Sequence, residues 1–180
     1  MDASDHYKLP AIALHWLMAI LLISLIALGY YMEGLPKNTS DRAYFFALHK
    51  SMGLVALALI LVRIGWRATH VVPAPLPGMP TWEIMAAAWS HRLLYLCMFL
   101  QPLTGYLSSS FNKYGIKFFG VSLPNWGWED TALRELFAGA HDVVGMALIA
   151  LIVVHVLAAL KHGLIDKDQI FQRMLPKPSR

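Results

Sequence analysis

The stretch Ala140–Gly163, AHDVVGMALIALIVVHVLAALKHG, decides how the rest of the chain is read. It is apolar almost throughout, yet His141 opens it, His155 lies deep inside it and His162 closes it. Fourteen residues separate His141 from His155. An α-helix with a rise of 1.5 Å per residue puts them on one face, about 21 Å apart. The further seven residues to His162 keep that face. An ionisable side chain inside a membrane span is costly and marks a functional position by default. Three imidazoles on one apolar face therefore need something to bind.

Composition sets the class. Of 180 residues, 57% are hydrophobic and 14% charged, against about 25% charged in soluble domains. Such a chain reads as a single all-α integral membrane domain. Crossing the hydrocarbon core as a helix takes about 20 apolar residues, and four segments qualify: 10–31, 44–69, 84–110 and 136–161. The first carries His15 and has no small-residue cleavage site before it, so it reads as a retained helix and not a signal peptide. Cys97 is the single cysteine, which excludes an internal disulfide, and no C-x-x-C-H is present for covalent haem attachment.

The connections carry turn chemistry. Pro10 suits a first helical turn. Residues 33–42, EGLPKNTSDR, read as a turn, and 71–80, VVPAPLPGMP, as an extended linker. Pro102 and Gly105 are expected to kink the third helix, 111–128 reads as a glycine- and aromatic-rich loop, and Asp130 or Thr131 can cap the fourth helix. Trp126 and Trp128 read as interfacial anchors. The side holding both termini collects nine Lys and Arg and the opposite side six. This favours cytoplasmic termini under the positive-inside rule. The same basic flank explains most of the net charge of +4, so no nucleic-acid partner is implied.

Depth sorts the histidines. His15 and His91 begin the first and third spans, while His49 and His141 begin the second and fourth. His155 returns to the depth of His15. His49 can then face His141, and His15 can face His155, although spacing alone equally allows His91 or His162 as the partner on the terminal side. Facing imidazoles on neighbouring helices are a usual way to hold a six-coordinate haem in a bundle core. Arg63, Arg67, Arg92 and Lys50 lie near helix ends, where they can pair with haem propionates. His6 and His70 read as solvent-facing and the nine methionines as packing residues.

These residues resemble the bacterial di-haem cytochrome b561 family. The resemblance covers nearly the whole chain: Leu14-His15-Trp16-Leu17, Leu48-His49, the Arg63 and Arg67 pair, His91, and the series His141, His155, His162. It implies a four-helix bundle with two haem b groups, His15 paired with His155 and His49 with His141. Some members of the family are similar to superoxide oxidases, which implies electron transfer from superoxide at the outer face to ubiquinone, in the bacterial inner membrane. The segment Phe111-Asn112-Lys113-Tyr114-Gly115 resembles a Tyr-Asn-Arg-Gly stretch of the family's outer loop, with Lys113 in the arginine's place and one extra residue before the glycine. Lysine keeps the charge and loses the rigid fork. On this reading Asn112 and Lys113 meet superoxide, with Lys50, Lys117 and Arg134 adding positive charge. His91, His162 and Arg67 lie within reach of the quinone. Two other classes stand beside it: an electron relay serving a periplasmic redox partner, and a haem-free membrane protein using its histidines for protons or another metal.

Overall fold

The computed structural model describes residues 6–123 and 127–176. Four helices carry most of them: α1 Leu9–Gly34, α2 Ser40–Thr69, α3 Thr81–Ser110 and α4 Thr131–Leu160. Helices consecutive in sequence pack on one another, α1 on α2, α2 on α3 and α3 on α4. The geometry forces alternation. A helix of 30 residues is about 45 Å long, and segment 35–39 is far too short to return along it, so α2 runs antiparallel to α1. At the other junction Asp130 N–H donates to Phe111 O at 3.2 Å, pinning the start of α4 to the end of α3.

The helix ends follow the expected chemistry, with wider bounds than hydropathy alone indicates. Pro10 sits in the first turn of α1. The Thr39 hydroxyl accepts from Arg42 N–H and starts α2 at Ser40, several residues before its apolar run begins. Asp130 is the cap of α4, its carboxylate accepting from Leu133 N–H at 2.9 Å. Helix α3 continues through Pro102. Beyond Leu160, α4 widens into a π-helical turn, Lys161–Asp166, and stops where Lys167 enters the left-handed region at φ 52°. A 3-10 turn, Gln172–Met174, follows. The linker 71–80 is extended apart from a turn at Pro77 and Gly78, as its prolines require.

The loop after α3 contains a feature absent from the sequence reading. Strands β1 Ile116–Phe118 and β2 Val121–Leu123 pair antiparallel, with Phe118 opposite Val121. The two turn residues, Phe119 and Gly120, both have positive φ, 45° and 92°. That is the signature of a primed hairpin turn. Phenylalanine is unusual in that position, which is why the segment carries no local hairpin signal. Trp126 lies outside the described residues, as do Lys177 and Arg180 of the basic tail.

Leu9–Gly34, Ser40–Thr69 and Thr131–Asp166 are long and apolar enough to cross a membrane. Helix α3 is equally long, but Glu83, Arg92, Gln101, Thr104 and Ser108–Ser110 make it more polar. Large apolar side chains such as Ile20, Ile23, Val62, Val153 and Leu157 point outward, the arrangement that lipid solvates. Inside, Leu21, Leu25 and Ala56 form a cluster with Met52, Val55 and Leu59, and Ile60 and Leu148 are almost wholly buried.

Arg42 ties α1 to α2. Its Nη1 donates to the carbonyls of Met32, Glu33 and Leu35 at 2.8–2.9 Å, and its Nη2 pairs with the Glu33 carboxylate at 2.8 Å. A helix C-terminus leaves such carbonyls short of partners; of these three, Met32 O also accepts from Leu35 N–H at 3.4 Å. Arg42→Ala is expected to cost about 2–3 kcal/mol, because charged hydrogen bonds are lost and carbonyls are orphaned. Arg42→Lys should recover only part of this; unfolding of the detergent-solubilised protein measures both.

Candidate functional site

Two clusters of imidazoles lie between the helices, and α4 contributes to both. At the hairpin end, His49 of α2 faces His141 of α4 with ring centroids 6.3 Å apart and planes crossed at 78°. His141 Nδ1 is 2.8 Å from the Gln101 carbonyl oxygen. A carbonyl only accepts, so Nδ1 carries the proton and donates, leaving Nε2 with its lone pair. The Gln101 side-chain amide donates to that Nε2 at 3.0 Å. The Thr104 hydroxyl lies 3.4 Å from Nδ1. Nδ1 of His49 is buried with no hydrogen-bond partner among the described residues.

At the end holding both termini, three rings converge. His15 of α1 and His155 of α4 are 6.1 Å apart at 61°, and His91 of α3 lies edge-on to His155 at 5.3 Å. Arg63 fans out behind this cluster. Its Nη2 lies 3.3 Å from His15 Nδ1, and its Nε donates to the Tyr95 hydroxyl at 3.0 Å. Its Nη1 donates to Ala11 O at 3.4 Å. Arg67 stacks over the same Tyr95 ring, 5.6 Å from its centroid. Neither arginine has a carboxylate partner among the described residues. Arg92 instead lies over Trp89 at 5.0 Å.

The expected terminal-end residues are thus only partly brought together. His91 and Arg67 join the His15–His155 cluster directly or through Tyr95. His162 belongs to a separate group on the π-helical turn, where its Nδ1 meets the carboxylates of Asp168 at 2.6 Å and Asp166 at 3.2 Å. The chain beyond it folds back: Trp16 Nε1, next to His15, donates to Met174 O at 2.8 Å. His70, read as solvent-facing, is stacked on Trp66 at 3.7 Å and bonded to the Trp66 carbonyl.

A cavity of about 250 Å³ opens at the hairpin end, lined by Phe111, Asn112, Lys113, Tyr114, Glu129, Thr131 and Arg134. It joins Lys113 and Arg134 as sequence reasoning expects and adds one carboxylate, Glu129. Lys117 lies instead on β1, and Lys50 is half-buried in α2. The hairpin docks on α2 through Ser51, whose hydroxyl accepts from Phe119 N–H at 2.9 Å and reaches Lys117 O at 3.3 Å. Gln101, Tyr95 and Ser51 are the residues that sequence reasoning missed. Their only signal was polarity within otherwise apolar helices.

Residues 6–177 match the sequence profile of the prokaryotic cytochrome b561 family. The chain belongs to that family. Cytochrome b561 homolog 2 of Escherichia coli is 35% identical over 99% of this chain and 95% of its own length. Cytochrome b562 of Cereibacter sphaeroides is 30% identical over 97% of this chain and 98% of its own. A probable superoxide oxidase of Yersinia pestis is 25% identical over 95% and 96%. A prokaryotic cytochrome b561 is a membrane haem b protein of electron transfer, so the imidazole pairs can be tested for fit to that group. A metal held between two imidazole nitrogens at about 2 Å each sets the ring centroids roughly 6 Å apart. The 6.1 Å and 6.3 Å pairs both match this spacing, whereas His91 is too close to His155 for it.

Among the described hydrogen bonds, Ser51 is the side chain that joins the hairpin backbone to α2. Ser51→Ala should leave the helices intact and speed hydrogen exchange at the Phe119 amide, which Ser51 alone protects among the described side chains. Comparing exchange at Phe119 with that at the α2 amides provides the check.

Proposed function

We propose that this b561 cytochrome holds two haem b groups, His15 with His155 and His49 with His141 as axial pairs, and moves single electrons from superoxide at the periplasmic face to ubiquinone. One observation carries the reading: two imidazole pairs of nearly equal spacing, 6.1 and 6.3 Å, share one helix. When bound, haem supplies reversible one-electron iron chemistry at both depths. The protein's own residues do the remainder. In this reading four spans, α3 included, cross a bacterial inner membrane and both termini lie in the cytoplasm, the orientation that the excess of Lys and Arg on their side supports. Arg63, half-buried, and Arg67, exposed, have no carboxylate partner among the described residues and favour the anionic propionates of the terminal-end group.

Superoxide is an anion, and Lys113 and Arg134 in the periplasmic cavity attract it, with Asn112 as a neutral hydrogen-bonding neighbour. No bond to the protein forms; each superoxide loses one electron and leaves as dioxygen. Two such losses supply the two electrons that, with two cytoplasmic protons, convert ubiquinone to ubiquinol. His91, Arg67 and His162 are the residues proposed for the quinone side, and the His162–Asp168 pair is placed to take part in proton uptake. A second reading, an electron relay for a periplasmic redox protein without superoxide activity, is favoured by Glu129, which offsets part of the cavity's positive charge.

Purified protein is expected to show dithionite-reduced b-type bands and two haems per chain. His155→Ala should lose one haem and keep the other; loss of neither removes His155 from the ligand set. Lys113→Glu should slow haem reduction by superoxide about tenfold or more, with a weakened salt dependence. If superoxide leaves the wild-type haems oxidised while a periplasmic protein reduces them, the relay is the function.

A further inference from the structure

The two imidazole pairs are backed by opposite electrostatics. Behind His141 stands the α3 turn Gln101–Gly105. Its Gln101 carbonyl accepts from His141 Nδ1–H at 2.8 Å, and the Thr104 hydroxyl donates to the same carbonyl at 2.9 Å. Gly105 makes the approach possible: a Cβ there would meet His141 Cε1 and Nδ1 at 3.1 Å. An Nδ1–H to carbonyl bond raises the basicity of a metal-binding imidazole, which favours the higher oxidation state of its metal. The charged residues next to these two histidines in the chain, Lys50 and Asp142, have opposite signs; Lys113, Arg134 and Glu129 of this end line the cavity.

Behind His15 stands a cation. Arg63 Nη2 lies 3.3 Å from His15 Nδ1, and Arg67 is close by on the shared Tyr95 ring. Fixed positive charge in a low-dielectric region disfavours the more positive oxidation state of a nearby metal. Both haems carry the same propionates, so the difference between the ends is the protein's own.

We propose that the Gln101–Gly105 turn is the positioning element of His141 and that, set against Arg63 and Arg67 behind His15, it makes the hairpin-end centre the lower in potential. That order makes inward electron transfer favourable. The inference rests on the axial assignment above and adds residues that touch no iron.

The test is a spectroelectrochemical titration of the holoprotein resolving two waves, with ligand variants to assign them. The wave surviving in His155→Ala belongs to the hairpin end and is expected to be the lower. Gly105→Ala, which presses on His141 and loosens its bond to Gln101, should move the lower wave up and leave the upper one in place. Arg63→Gln should move the upper wave down, and Arg63→Lys should restore most of the shift. Should Gly105→Ala fail to hold its haem, Thr104→Val serves instead and should shift the lower wave alone. Reversed order of the waves, or a lower wave indifferent to the Gly105 and Thr104 changes, overturns the inference. Retention of both haems in His141→Ala would instead remove the axial assignment, a distinct failure.

Discussion

Imidazoles inside apolar helices cannot be left to water, and the architecture follows from how they are given partners. Helix α4 packs closely along α3, and it meets α1 and α2 through histidine rings: His155 toward His15 and His141 toward His49. Leu148, almost wholly buried, lies seven residues from each of its two histidines. With Leu21, Leu25 and Ala56 it gives the middle of the bundle an apolar character. The chain thus alternates along its length between polar and apolar layers. The polar layers hold the candidate chemistry, and the apolar ones keep it apart.

The polarity of α3 has the same origin. Arg92 and Glu83 sit near its terminal end, where Arg92 stacks on Trp89 and Glu83 pairs with Lys161 at 3.1 Å. The residues deeper in, Gln101 and Thr104, turn to His141, and Tyr95 turns to Arg63. Helix α3, whose apolar run is interrupted by polar residues, therefore supplies partners to its neighbours' titratable groups. Tyr95, Thr104 and the Gln101 amide nitrogen offset part of their burial cost through hydrogen bonds, whereas Ser90 Oγ, Ser110 Oγ and Gln101 Oε1 are buried without a partner among the described residues. The π-helical turn after Leu160 does the same at the chain's end, gathering His162, Asp166, Asp168 and Lys161 into one mutually neutralising cluster.

The sequence is enough to read the helices, a cap at Asp130, the extended linker and the two depths of histidine. These are local properties: hydropathy, capping chemistry and a fourteen-residue period all act within a few turns of one helix. It also placed the chain in its family, because the spaced histidines are read along the chain. Packing between helices sets how the third ring, His91, stands to His155: close, edge-on and at a spacing unlike that of the two facing pairs. The tertiary structure alone turned His162 toward carboxylates. It alone made a hairpin of a segment whose turn residue, Phe119, adopts positive φ while its amide is held by Ser51, far away in sequence. It alone put a glutamine carbonyl behind His141 and a guanidinium behind His15. Each of these depends on which side chains from different helices meet at one level, and helix rotation and packing set that meeting, not any period within a single helix.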